Sequence, residues 1–153
     1  EHRIDLGGEV GVQPPALSVG QLVPAQDADA GGLQLGADVV EEDPRDDNFA
    51  MLQDNLRRLE TMTDQAGTPL RVGTLPMPHP VTYEEHRLPA SYANFYIGNE
   101  VVLMPAYDPD RDGVAQATIQ SLFPTRRVVP IDCTELIWGL GAFHCLTQQW
   151  PAP

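Results

Sequence analysis

Tyr92-Ala-Asn-Phe-Tyr-Ile97 and Val101-Val-Leu-Met104, separated by Gly98-Asn99, form the stretch of sequence that decides the fold class. Both runs are rich in β-prone residues, and Gly-Asn is a turn pair that tolerates positive φ, so the stretch predicts a β-hairpin. The apolar positions after it predict a helix, closed by Pro124, and they are Val114, Thr118, Ile119, Leu122 and Phe123. A strand is predicted next, at Arg127 to Ile131. This order of elements indicates an α/β protein rather than a helical bundle or a sandwich.

The residues before the hairpin predict a similar unit. Ala37 to Val40 is a short apolar run that predicts a strand. A helix is predicted after Asp46 or Asp47, either of which could cap it, and Gly67 is expected to stop it. Its apolar positions are spaced by three and four residues and are Phe49, Leu52, Leu56, Leu59 and Met62. Leu70 to Leu75 then predicts a strand.

Other segments carry weaker patterns. Thr82 to Leu88 is polar and predicts a loop. Cys133 to Ile137 predicts a short turn of helix or strand, and Ala142 to Gln148 predicts a last strand. Residues 1–36 contain no aromatic side chain and no sustained hydrophobic period, so we expect them to lie outside the domain formed by residues 37–153.

The charge of the chain excludes several classes of partner. Its 153 residues include 22 acidic and 9 basic side chains, all nine of them arginine, for a formal charge of -13. Nucleic acids and anionic membranes are bound by clustered Lys and Arg, so we expect neither as a partner. A cationic ligand fits this charge better.

The two cysteines, Cys133 and Cys145, are too few for a disulfide framework or a complete tetrahedral zinc site. They indicate a reducing, cytoplasmic location, with two buried thiols as the plain alternative to a reactive one. Asp108-x-Asp110-x-Asp112-Gly113 resembles the opening of a calcium-binding EF-hand loop, but its twelfth position is Ile119 rather than a carboxylate. We therefore interpret Asp112 as a helix cap and expect no metal site.

Cys145 is the candidate nucleophile, because a cysteine can attack an electrophilic carbon as its thiolate. On a strand His144 would point to the opposite face, so a base would have to come from elsewhere in the fold. His2, His79 and His86 are the other histidines, and each is expected to be a loop residue in solvent. A Cys-His protease is a weaker alternative, since the sequence displays no oxyanion site. Gly139 and Gly141 would let a ligand approach the backbone closely.

Three separated motifs resemble those of the agmatine deiminase family, which includes the porphyromonad-type peptidylarginine deiminases. They are Leu88-Pro-Ala-Ser-Tyr-Ala-Asn-Phe-Tyr-Ile97, Leu122-Phe-Pro-Thr-Arg-Arg-Val-Val-Pro-Ile-Asp132 and Gly139-Leu-Gly-Ala-Phe-His-Cys-Leu-Thr-Gln-Gln149. The resemblance runs from about Asp38 to Pro153 and corresponds to the C-terminal part of the family.

The resemblance implies part of a pentein fold, a propeller of five ββαβ modules, of which about two are expected here. It implies hydrolysis of agmatine to N-carbamoylputrescine and ammonia, a step of putrescine biosynthesis, with Cys145 as nucleophile and with Gly139 and Gly141 as cleft backbone. It implies no metal and no organic cofactor. Strand edges left uncovered in a partial propeller favour association, so a homo-oligomer is one expected state.

The sequence also departs from the family pattern. The Gly-His-x-Asp motif, which supplies a histidine and a carboxylate, is expected shortly before Ala37, where only Asp27 and Asp29 occur. His2-Arg-Ile-Asp5 has the wrong spacing. We therefore expect an incomplete form with little or no turnover of its own, in which residues 1–36 derive from an altered gene region. The alternatives are a protein-arginine deiminase and a non-catalytic pentein fragment.

Overall fold

The structure is a computed structural model that describes residues 21–23, 35–148 and 150. Its elements in chain order are β1 (Gln21–Val23), β2 (Leu35–Val40), α1 (Phe49–Leu59), β3 (Arg71–Pro76), β4 (Thr82–Tyr83), β5 (His86–Arg87), β6 (Tyr96–Ile97), β7 (Val101–Ala106), α2 (Asp112–Leu122), β8 (Arg127–Asp132), a 3-10 turn (Leu136–Gly139) and α3 (Phe143–Leu146). Within the described residues, no helix is long and apolar enough to cross a lipid bilayer.

The first sheet has the order β1-β2-β3. β2 and β3 are parallel, with pairs from Leu35 and Arg71 to Val40 and Pro76. Parallel neighbours need a crossover, and α1 supplies it while packing against β2. The predicted β-α-β unit is therefore confirmed. β1 pairs antiparallel with β2, although the sequence pattern predicted no strand within residues 1–36.

The second sheet has the order β6-β7-β8. β6 and β7 form the predicted hairpin, and the turn is closed by the N–H of Gly98, which donates to the carbonyl of Val101 at 2.8 Å. The hairpin is shorter than predicted because Tyr92 and Phe95 leave the sheet and pack in the core. α2 joins β7 to the parallel strand β8, and it also contacts β3, so it links the two sheets.

The core lies around α2 and the hairpin. Tyr92, Phe95, Ile119 and Phe123 have 0% exposed surface. The rings of Phe95 and Phe123 meet edge to face, with centroids 5.8 Å apart and planes 76° apart, which is a favoured aromatic geometry. These buried side chains fix the position of the segment that begins the hairpin.

Two predicted boundaries around the first helix are wrong. Neither Asp46 nor Asp47 caps α1, because the residue before the helix is Asn48. The carboxylate of Asp46 accepts the backbone N–H of Asn48 instead of an N–H inside the helix. The helix ends at Leu59 instead of Gly67, and Met62 is 48% exposed. Thr63 forms an isolated bridge with Pro69, and Gly67, at φ 82°, lies in the turn between them. A separate tight turn therefore replaces the last predicted helical turn.

Two predicted elements have a different structure. Thr82 to Arg87 is a small antiparallel hairpin rather than a loop, because Glu84 and Glu85 both adopt positive φ and close a turn between β4 and β5. Ala142 to Gln148 is not a strand, since Phe143–Leu146 forms the short helix α3. Leu140, at φ 62°, turns the chain immediately before it. His2, Asp5, Asp27 and Asp29 lie outside the described residues.

Candidate functional site

The candidate site lies at one edge of the second sheet. The register pairs Ala106 with Asp132, so the parallel strands β7 and β8 end side by side. β6 runs in the opposite direction and its first residue, Tyr96, pairs with Leu103, so the chain just before β6 lies toward the end of β7. α3 packs against β7. This topology brings Asn94, which precedes β6, together with Cys145 on α3.

Asn94 is the direct partner of Cys145. Its side-chain Nδ2 donates to Cys145 Sγ at 3.2 Å, and its Oδ1 accepts the backbone N–H of Cys145 at 3.3 Å. Its own carbonyl accepts the N–H of His144 at 3.2 Å. Because Oδ1 is held by a backbone donor, the amide can present only its NH₂ group to the sulfur. Asn94 therefore fixes both the start of α3 and the direction of the thiol.

Cys145 is exposed, which leaves its sulfur open to a reagent or substrate. A hydrogen-bond donor interacts more strongly with a negatively charged acceptor than with a neutral one. The NH₂ group of Asn94 is thus placed where it would interact most strongly with a thiolate, which is the nucleophilic form of cysteine.

Gly141 makes the close approach to Cys145 feasible. A Cβ atom at this buried position would lie 2.8 Å from Cys145 Cβ and 3.0 Å from Sγ, closer than side chains tolerate. Gly139 differs, because a Cβ there would meet nothing within 4 Å. Of the two glycines predicted from sequence, Gly141 contacts the candidate nucleophile and Gly139 lies in open space.

Two buried ionisable side chains, Cys133 and Tyr107, follow directly after β8 and β7. Cys133 is buried directly after β8, and its N–H donates to the carbonyl of Ala106 at 2.9 Å. Burial raises the pKa of the Cys133 thiol. Burial also raises the pKa of Tyr107, with further contributions from Cys133 and Cys145. Both groups are therefore held in their neutral forms, and the plain interpretation of Cys133 as a buried thiol is confirmed.

Of the described histidines, only His144 has a different setting from the prediction. His144 shares the short helix with Cys145, so the argument from strand geometry does not apply to this pair. His79 lies in a loop with its side chain 60% exposed, as expected, and its Nδ1 lies 2.7 Å from the Asp108 carboxylate. Burial acts to raise the pKa of Asp108, but N–H donors from His79 and Asp110 outweigh it and hold this pKa below its ordinary value. His86 is exposed on β5, as expected.

A cavity of about 380 Å³ lies beside His79 rather than beside Cys145. It is lined by Glu41, Asp43, Arg45, Asp46, Pro78, His79, Pro80 and Arg111. The acidic turn after β2 thus forms one wall of a cavity. Glu41 is only 4% exposed and accepts the N–H groups of Glu42 and Asp43, so it shapes this turn.

Sequence reasoning missed Asn94. The residue lies within the motif Leu88–Ile97, but it was interpreted as part of a strand. An amide side chain in the middle of an apolar run is a signal that could have been used, because a buried or half-buried amide needs hydrogen-bond partners.

Comparison with known proteins identifies relatives of this arrangement. A family model described as Porphyromonas-type peptidyl-arginine deiminase matches residues 35–151. An agmatine deiminase of Pseudomonas fluorescens is 36% identical over 130 residues, which cover 73% of this chain and 35% of that protein. The chain therefore spans about a third of the length of this relative.

Solved structures agree. A Porphyromonas gingivalis structure described as an arginine deiminase has 40% identity and a TM-score of 0.73, covering 76% of this chain and 34% of that one. The agmatine deiminase of Enterococcus faecalis has 29% identity and a TM-score of 0.71, covering 76% of this chain and 37% of that one. The mixed α/β fold predicted from sequence is thus shared with deiminase structures.

Proposed function

Because the chain belongs to the Porphyromonas-type peptidyl-arginine deiminase family, we propose that it carries the nucleophile-bearing part of an agmatine deiminase. In this proposal the complete enzyme hydrolyses agmatine to N-carbamoylputrescine and ammonia, a step toward putrescine. The observation that carries the proposal is the exposed Cys145 thiol held by the Asn94 amide, within the segment that the family match covers.

The proposed chemistry begins with attack of the Cys145 thiolate on the guanidinium carbon of agmatine. The carbon–sulfur bond forms, one terminal carbon–nitrogen bond breaks, and that nitrogen leaves with an added proton as ammonia. A water molecule then attacks the resulting amidino-thioether. The thiolate leaves, and the carbon keeps the water oxygen as the ureido carbonyl. The balance is one guanidinium and one water consumed, with one urea group and one ammonium ion formed.

Asn94 and Gly141 have positioning roles in this proposal. Asn94 donates to the sulfur and so orients the nucleophile toward a substrate above α3. Gly141 leaves the space that the Cys145 side chain occupies. A catalytic nucleophile must be held within a fraction of an ångström of its productive position, so both contacts bear on rate rather than on affinity.

We further propose that residues 37–153, together with the beginning of β2 at Leu35, form part of a pentein domain. The two β-α-β units, β2-α1-β3 and β7-α2-β8, support two repeated modules. Exposed apolar side chains in the segment that carries the nucleophile also support the proposal, since Trp138 is 57%, Leu140 69% and Leu146 65% exposed. Surfaces of this kind are normally covered by other parts of a domain. The acid–base histidine and the guanidinium carboxylates would then come from other modules.

The acidic character of the chain supports a cationic substrate. At a formal charge of -13, the protein attracts dications such as agmatine over long distances. A protein-arginine deiminase is the second candidate, favoured by the description of the family match and by the 40% identity to the P. gingivalis structure.

The test is a chimera in which residues 35–151 of this chain replace the matching segment of the P. fluorescens agmatine deiminase. We expect the chimera to release ammonia and N-carbamoylputrescine from agmatine, and the 153-residue chain alone to show little or no turnover. An arginyl peptide tested in parallel separates the two candidate substrates. A chimera that is folded by circular dichroism but forms no product from either substrate would contradict the proposal.

A further inference from the structure

Three side chains that have no part in the proposed chemistry meet between the two sheets. His79 comes from the proline-rich connection after β3, and Asp108 and Asp110 come from the loop between β7 and α2. One ligand atom of each lies within 4.8 Å of the other two. We propose that His79, Asp108 and Asp110 bind one divalent transition-metal ion, with Zn²⁺ as the preferred occupant.

The donor set selects the class of metal. It combines one imidazole nitrogen with two carboxylate oxygens, a mixture that suits zinc and its first-row neighbours. Calcium instead takes six to eight oxygen ligands. Three protein ligands leave the remaining coordination position for water.

The third carboxylate of the Asp108-x-Asp110-x-Asp112 series is engaged elsewhere. Asp112 accepts a hydrogen bond from the hydroxyl of Tyr92 at 2.7 Å and from the N–H of Tyr107 at 3.1 Å. Its Oδ1 is therefore occupied by donors outside α2. The predicted role of Asp112 as the helix cap is wrong, because Asp112 is the first helical residue and follows Arg111. His79, distant in sequence, provides the third ligand in its place.

The geometry needs only a small adjustment to accept the ion. His79 Nδ1 and Asp108 Oδ2 are 2.7 Å apart. Two ligands at zinc bond lengths and a tetrahedral angle lie about 3.4 Å apart, so the pair must separate by about 0.7 Å. The side chain of Asp108 is 8% exposed and anchored, whereas that of His79 is 60% exposed. The histidine can therefore move while the buried carboxylate remains fixed.

Asp108 is anchored by backbone donors. Its Oδ2 accepts the N–H of His79 at 2.9 Å, and its Oδ1 accepts the N–H of Asp110 at 3.0 Å. Such donors orient a carboxylate in the way that partners of metal ligands usually do. The same bonds bring the backbones of the other two ligands to the site.

A cavity adjoins the cluster at His79, the one proposed ligand that lines it. Its volume of about 380 Å³ has room for the ion and its water ligands. The cavity is lined by three acidic side chains, Glu41, Asp43 and Asp46, and by two arginines. One guanidinium nitrogen of Arg111 donates a hydrogen bond to the carbonyl of Met77 at 2.8 Å. Asp43 pairs with Arg45 and Asp46 with Arg87, so the negative charge offered to a cation is that of Asp108 and Asp110 in the cluster itself.

The proposal is tested by titrating Zn²⁺ into the untagged full chain by isothermal calorimetry, in a Cys145→Ser background that removes the exposed thiol. We expect one equivalent to bind, and the midpoint of thermal unfolding to rise with Zn²⁺ concentration. His79→Gln and Asp110→Asn should each weaken binding by about 10-fold or more, as losses of metal-site groups do. His86→Gln and Asp47→Asn, at exposed positions outside the cluster, are the matched controls.

Co²⁺ provides a second readout, because its visible absorption reports ligand geometry without depending on enzyme activity. The visible absorption band of bound Co²⁺ should appear with the parent chain and the control variants, and it should be weak in the His79 and Asp110 variants. The proposal is overturned if no saturable binding occurs below about 1 mM metal. A dissociation constant of about 1 mM corresponds to a binding free energy of only about 4 kcal/mol. It is equally overturned if both ligand variants bind as tightly as the controls.

Discussion

Replacing Asn94 with aspartate tests the contact that organises the candidate site. The substitution preserves the shape of the side chain and the acceptor for the Cys145 N–H, but it replaces the donor to Sγ by a negative oxygen at the same 3.2 Å. The Coulomb repulsion between that oxygen and a thiolate is about 1.3 kcal/mol at the dielectric constant of water and about 2.6 kcal/mol at half of it. The thiolate fraction at a fixed pH should therefore fall by roughly 10- to 80-fold.

The assay is the rate of alkylation of the full chain by iodoacetamide at pH 7, followed by intact mass spectrometry. A thiol that ionises less readily is a better nucleophile once ionised, which offsets about half of the effect on a logarithmic scale, so we expect alkylation at Cys145 to slow by about 3- to 10-fold. Asn99→Asp, in the exposed hairpin turn, adds the same charge elsewhere and should leave the rate unchanged. Equal rates for the two variants would refute the role of Asn94.

Three further predictions concern stability and local packing. Gly141→Ala places a methyl group 3.0 Å from Cys145 Sγ and should reduce chimera turnover by more than 10-fold, whereas Gly139→Ala, with open space around it, should leave turnover unchanged. Tyr92→Phe removes the 2.7 Å hydrogen bond to Asp112 and should lower the free energy of unfolding in urea by about 1 kcal/mol, while Tyr83→Phe, on the surface, should have no effect. Burial acts to raise the pKa of Asp46, but its hydrogen bonds from Arg87 and from the Asn48 N–H are stronger and hold this pKa below the ordinary value of 3.8. The pair therefore stabilises the fold above that pH and loses this contribution as the pH falls below it, so Asp46→Asn should flatten the acid side of a stability–pH curve.

Much of the fold follows from local sequence patterns. The Gly98-Asn99 turn predicts the β6–β7 hairpin, and the apolar spacing between Asp112 and Phe123 predicts α2, because turn chemistry and helical periodicity are properties of neighbouring residues. The β4–β5 hairpin could not be predicted in this way. Its turn depends on Glu84 and Glu85 at positive φ, which non-glycine residues seldom adopt without tertiary support.

The candidate site was only partly predictable for a similar reason. Cys145 could be identified from its motif, but its partner Asn94 is 51 residues away and is brought to it by the sheet register. The segment around Cys145 was predicted to be a strand because it is too short for its hydrophobic spacing to distinguish a strand from a helix. The pairing of His79 with Asp108 likewise depends on the contact between two separate units.

The central claim is that Cys145 is the nucleophile that attacks a guanidinium carbon. The most direct measurement is rapid acid quenching of the chimera during agmatine turnover, followed by peptide mass spectrometry, with Cys145→Ala and Cys133→Ala chimeras alongside. We predict an adduct with the mass of agmatine less ammonia on the peptide containing Cys145, loss of turnover in Cys145→Ala, and retained turnover in Cys133→Ala. Agmatine hydrolysis that persists in the Cys145→Ala chimera would contradict the claim.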